Sequence, residues 1–140
     1  MNPRTLRSLR IQGLFLSAAL VIQYALGMYV NLFISFPQNA TGGQLWEFAW
    51  SQKPLAAHIL LAILILLGAI VALVRAVVYK NKRWVIANSL GLSAIIAAGL
   101  SGAAFIPSQT NAYSYSMSLT FLVAIFSYVW GLAQTRNLPE

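Results

Sequence analysis

Cysteine is absent from the 140 residues, which removes disulfides, thiolate metal sites and thioether-linked c-type haem in one stroke. Acid is almost absent. The two carboxylates are Glu47, between apolar runs, and Glu140, the last residue. Paired-carboxylate acid–base chemistry and proton relays through Asp or Glu therefore have no residues to work with. The single histidine, His58, is too few ligands for a protein zinc site, and a Ser-His-acid triad lacks its acid. No glycine-rich loop of the kind that cradles phosphate is present. A stand-alone hydrolytic enzyme is not expected. Charge as a whole is scarce, 8% of residues against about a quarter in a soluble domain.

What fills the chain instead is hydrocarbon, with 59% hydrophobic residues and a mean hydropathy of +0.73. The apolar residues fall into four runs, about 12–34, 55–78, 84–106 and 114–134, each long enough for the roughly 20 helical residues that cross a bilayer. The basic start precedes a first run that is too long for a signal peptide and has no small-residue cleavage site, so it reads as a retained span. The expectation is one domain over 1–140, all-α, an integral membrane four-helix bundle with up-down antiparallel topology and short connections. The exception is a long outer loop over 35–54. Within it "QLWEFAWS" sets Trp46, Phe48 and Trp50 beside Glu47, an amphipathic aromatic stretch suited to a membrane interface.

A net charge of +7 raises the question of nucleic acid, and the positions of the nine basic residues answer it. Arg4, Arg7, Arg10, Arg75, Lys80, Lys82, Arg83 and Arg136 flank one side of the runs; Lys53 alone flanks the other. Eight against one is a positive-inside signal that places both termini and the 79–84 turn in the cytoplasm. The surroundings expected are a lipid bilayer, specifically a bacterial plasma membrane crossed several times, and no nucleic acid. Asn39-Ala-Thr41 matches a glycosylation sequon, which matters only in a eukaryotic host.

Helical spacing assigns the faces. From His58 the small series Ala62, Ala69, Ala72 and Ala76 shares one stripe, while Leu60, Leu64, Leu67, Val71 and Val74 share the opposite one. Small residues let helices approach in a membrane, so the His58 stripe is expected to face the bundle. The fourth run places Met117, Thr120, Ala124, Ser127 and Gly131 inward by the same logic, with Tyr113 at the head of the stripe. The third offers the close-packing pairs Ala98/Gly102 and Gly99/Ala103, and the first presents Gln23, Gly27 and Asn31 at intervals of four. A faint internal echo joins "LGMYVNLFISFP" to "LSGAAFIP" and aligns His58 with Met117.

An imidazole, a thioether at similar depth on the opposite helix, and glycine or alanine between them suit a flat apolar cofactor, and haem b is the natural candidate. The expected cofactor-binding set is His58, Met117, Asn31, Gly27, Gly102 and Gly99, with His58 and Met117 as the metal ligands. Lys53, Gln52, Trp46 and Trp50 would serve the propionates. A plainer reading stands beside it: His58 hydrogen-bonds a neighbour such as Asn31 or a backbone carbonyl, Met117 fills space, Gln23 and Asn31 glue helices, Arg75 snorkels, and the Trp and Tyr residues near helix ends anchor the interface.

The layout "VIQYALGMYVNLFISFP", a long outer loop, then "KPLAAHILLAILILLGA" resembles one four-helix half of haem A synthase. Gln23, Gly27, Phe36-Pro37 and His58 match over roughly residues 15–70. The chain is also similar to a group of four-span bacterial membrane proteins. The resemblance implies that His58 occupies the haem-ligand position. Leu55 and Ile59 stand where that family has an acid and an arginine, its outer-loop cysteine pair is missing, and Met117 replaces its fourth-helix histidine. The implied function is accordingly a haem b-binding membrane protein that transfers electrons, as a cytochrome b-type carrier does, or holds haem near the outer face. Its partners would be a membrane redox protein or larger complex, or a second copy in a homodimer. The rival expectation is a cofactor-free accessory or assembly subunit; a small-solute transporter is disfavoured by the lack of ionisable residues in the spans.

Overall fold

The computed structural model describes residues 3–136, with side chains from Thr5 to Gln134. Arg4 and Arg136 carry side chains beyond that range, and Glu140 lies outside the described residues. Five helices account for nearly all of it: α1 (Pro3–Phe33), α2 (Gly42–Ser51), α3 (Lys53–Val78), α4 (Lys82–Ser108) and α5 (Asn111–Arg136). Four of them, all but α2, are long and apolar enough to cross a membrane. The prolines explain part of the segmentation. Pro3 and Pro54 sit in the first turns of α1 and α3, where a missing N–H costs nothing, Pro107 is the penultimate residue of α4, and Pro37 lies in the connection after α1.

The long helices run up and down as a square, α1 beside α3, α3 beside α4, α4 beside α5, and α5 closing on α1. The turns are tight. Lys80 (φ 52°) and Gln109 (φ 51°) take the left-handed conformation that ends a helix. Asn81 Oδ1 then accepts from Trp84 N at 3.2 Å and starts α4. The two ends of the square differ in charge. One carries Arg7, Arg10, Arg75, Lys80, Lys82 and Arg83, and is called the basic end below; α2 packs across the other, the α2 end.

The α3 faces fall as the spacing predicts, whereas Asn31 and Tyr113, expected inward on α1 and α5, are exposed near the α2 end. Ile65, Ala69 and Ala72 of α3 are buried with Leu16, Leu20, Ala94, Ala98 and Ala124 in the central core and Ala76 with Leu9 and Trp84 toward the basic end, whereas Leu60, Leu64, Leu67, Val71 and Val74 are about half exposed. The helices are longer than the apolar runs: α1 begins at residue 3 rather than 12, and α4 continues through Pro107. Four further expectations need correction.

Residues 42–51 form a helix rather than open loop. Thr41 N donates to Gln44 Oε1 at 2.8 Å, so the T-x-x-Q spacing works as half of a capping box, and Leu45 and Ala49 are buried with Val30, Leu55 and Ile106. Trp84 is not an interface anchor but core, 1% exposed. Its six-membered ring fills the notches left by Gly13 and Gly131, where an added Cβ would come within 2.5 and 3.1 Å of ring carbons. Tyr128 is likewise core, its ring lying over Gly91. Arg75 does not simply snorkel: it donates to Gln12 Oε1 at 3.3 Å and to Ser8 Oγ, tying α3 to α1, with its guanidinium 5.9 Å from the Tyr79 ring centroid.

Candidate cofactor site

The α2 half of the square is not filled. A partly open cavity of about 380 Å³ lies between all four long helices, within the range of ligand pockets, roughly 300–1,000 Å³. It is well above the engineered apolar cavity of about 150 Å³ that admits benzene. Its wall is almost wholly hydrocarbon. Phe36 and Phe105, packed edge to face at 5.7 Å, close it toward the α2 end together with Ile106 and Trp46. Five of the exposed lining residues, Ile63, Ile96, Gly99, Leu100 and Ala103, belong to α3 and α4, which makes that seam its main opening; Asn31 of α1 and Trp46 of α2 are exposed as well.

All six residues of the expected site line this one cavity: Gly27 and Asn31 from α1, His58 from α3, Gly99 and Gly102 from α4, and Met117 from α5. His58 and Met117 reach it from diagonally opposite helices, and both also line a smaller recess of about 40 Å³ beside α1. The glycines have separate reasons. A Cβ at Gly27 would lie 2.9 Å from His58 Cε1, so the imidazole rests against the α1 backbone; a Cβ at Gly102 would lie 3.3 Å from Met117 Sδ. Gly99 does not close-pack as its pairing with Ala103 suggested. Nothing lies within 4 Å of its added Cβ, because it borders the opening.

The neighbour that holds His58 is Gln23, not Asn31. Gln23 is fully buried. Its Nε2 donates to the His58 carbonyl at 2.9 Å and stands 3.4 Å from the ring Nε2. Asn31 Oδ1 instead accepts from Ser114 Oγ at 3.4 Å, linking α1 to α5. Two buried atoms are left without partners, His58 Nδ1 and Gln23 Oε1. The sequence signal for Gln23 was its position one turn before Gly27 on the inward stripe. What that stripe does not tell is which residue across the bundle it meets.

The donor set suits haem and not a bare metal ion. No group of three or more His, Cys, Asp or Glu among the described residues is placed to hold a metal. A porphyrin supplies four of the iron's six donors itself, so one imidazole and one thioether suffice. The glycine cradle at Gly27 and the apolar volume agree with such a guest; the unpartnered imidazole nitrogen is Nδ1, while Nε2 faces the Gln23 amide. Of the residues expected to serve the propionates, Trp46 lines the cavity; Lys53 is exposed at the start of α3, about 7.5 Å of helix rise before His58. No protein-family model, curated protein or solved structure matches the chain.

Proposed function

We propose that this chain is a multi-pass protein of a bacterial plasma membrane that binds one haem b in the α2-end cavity, through His58 with Met117 as second ligand, and uses it for electron transfer or haem holding. The distribution of charge supports the orientation: the basic end, with both termini, faces the cytoplasm, and α2 lies at the outer interface. The single observation that carries the reading is that the only imidazole in the chain lines a cavity of about 380 Å³ whose wall is mostly hydrocarbon, with Gln23, Asn31 and Ser114 as its other polar residues.

His58 and Met117 would hold the group, Gly27 and Gly102 make room for the imidazole and the thioether, Gly99 leaves the α4 wall open, and Phe36 and Phe105 close the cavity toward the α2 end. Haem, when bound, supplies one-electron chemistry at iron, and a thioether ligand raises its potential. The opening between α3 and α4 admits an apolar molecule from the hydrocarbon rather than from water. Purification in mild detergent after expression with ample haem is expected to give a Soret band that His58→Ala removes. Met117→Ala should keep the band but change spin state and potential. Colourless wild-type protein rejects the proposal, and an unchanged spectrum for Met117→Ala rejects its role as ligand.

One observation favours a second reading, a cofactor-free accessory or assembly subunit. Gln23 already ties α1 to α3 through His58, a contact worth about 0.6–2 kcal/mol between membrane helices. The bond is to the His58 carbonyl, so on that reading Gln23→Ala costs stability and His58→Ala changes no spectrum.

A further inference from the structure

Gln23 does more than join two helices. We infer that Gln23 is a positioning residue that fixes His58 in its Nδ1–H tautomer, keeping the lone pair on Nε2. The orientation of the Gln23 amide is settled by the His58 carbonyl oxygen, 2.9 Å away, which accepts and never donates; the amide nitrogen must therefore face it. That same nitrogen stands 3.4 Å from His58 Nε2. A side-chain amide nitrogen carries two hydrogens and offers no acceptor, so only an unprotonated Nε2 meets it without opposing two N–H groups. The ring proton then resides on Nδ1, which is buried with no donor or acceptor against it. Gly27 completes the arrangement, since a Cβ there would stand 2.9 Å from Cε1 and push the ring away from α1.

A neutral histidine side chain in water prefers the Nε2–H form, so the buried amide inverts the ordinary preference. The tautomer follows from these contacts alone; its use rests on the haem proposal, because iron takes an unprotonated nitrogen and Nε2 is the one so kept. At 3.4 Å the contact is at the long limit of a hydrogen bond. The amide lies on the Nε2 lone pair, so it selects the tautomer in the haem-free protein and has to swing off the ring before iron can take that nitrogen.

With a single histidine in the chain, 15N-histidine labelling of the whole protein in lipid nanodiscs reports one imidazole. Haem-free wild type is expected to show a protonated Nδ1 and an unprotonated Nε2. Gln23→Met, of similar length but without the amide, should revert to Nε2–H. A wild-type spectrum with the proton on Nε2 overturns the inference before any variant is made. A Gln23→Met spectrum identical to wild type, from protein that elutes and unfolds normally, overturns it too.

A haem titration of the same samples separates this inference from the proposal beneath it. The apparent Kd of Gln23→Met should rise several-fold, by the reciprocal of the fraction left in the Nδ1–H form. Equal affinities refute the presenting role. A wild type that takes up no haem refutes the cofactor, with the nitrogen signals still deciding the tautomer.

Discussion

Gly27→Ala puts a methyl group where the structure has the edge of an imidazole. The new Cβ would lie 2.9 Å from His58 Cε1, 3.5 Å from Nδ1 and 3.7 Å from Nε2, whereas carbon–carbon contacts settle near 3.5–4.0 Å. The ring must retreat by about 0.6–1 Å, which breaks the Gln23 contact already at 3.4 Å. Overpacking of this kind costs about 1–3 kcal/mol, but alanine in a helix interior recovers as much as about 1 kcal/mol over glycine, so the absolute change is small and easily misread. Gly99→Ala is the control that isolates the clash, for it gains the same helical propensity and its Cβ meets nothing within 4 Å. Denaturant titration in micelles should find Gly27→Ala less stable than Gly99→Ala by about 1–3 kcal/mol, and the 15N signals of His58 should shift in the first variant only. Equal stabilities with unmoved signals would mean the imidazole does not rest on α1, and the site as described would be wrong.

Three further outcomes are expected. Tyr128→Phe should be neutral or stabilising, because the hydroxyl is buried without a partner and such a group costs about 1–3 kcal/mol; a clear loss of stability in the same titration would reveal a partner. Arg75→Leu should loosen α1 from α3 by about 1.5–3 kcal/mol through the lost charge-assisted bonds to Gln12 and Ser8, read as a lower denaturation midpoint, and no change would reduce the contact to a surface accident. Gly99→Phe, at the opening between α3 and α4, should leave the fold intact and suppress haem uptake; normal uptake would place the entrance elsewhere.

The positions of the long helices and their inward faces were legible because both follow from period and composition, properties of one segment at a time. The Ala stripe of α3 and the Leu–Val stripe opposite it are buried and exposed as their spacing requires. The six site residues converge on one cavity for the same reason. What escaped depends on pairing across helices. Trp84 and Tyr128 look like interface anchors until Gly13, Gly131 and Gly91 are seen to provide the notches they fill. Gln23 looks like general glue until its amide is found on the carbonyl of His58. The α2 helix was partly readable, since Thr41 and Gln44 stand at the capping-box spacing, but ten residues rich in aromatic side chains give periodicity little room to speak.

Haem content per polypeptide chain, measured by pyridine haemochrome on detergent-purified wild type and His58→Ala, tests the central claim most directly. One haem per wild-type chain and none in the variant is expected. No pigment in the wild type, or equal pigment in both, contradicts it.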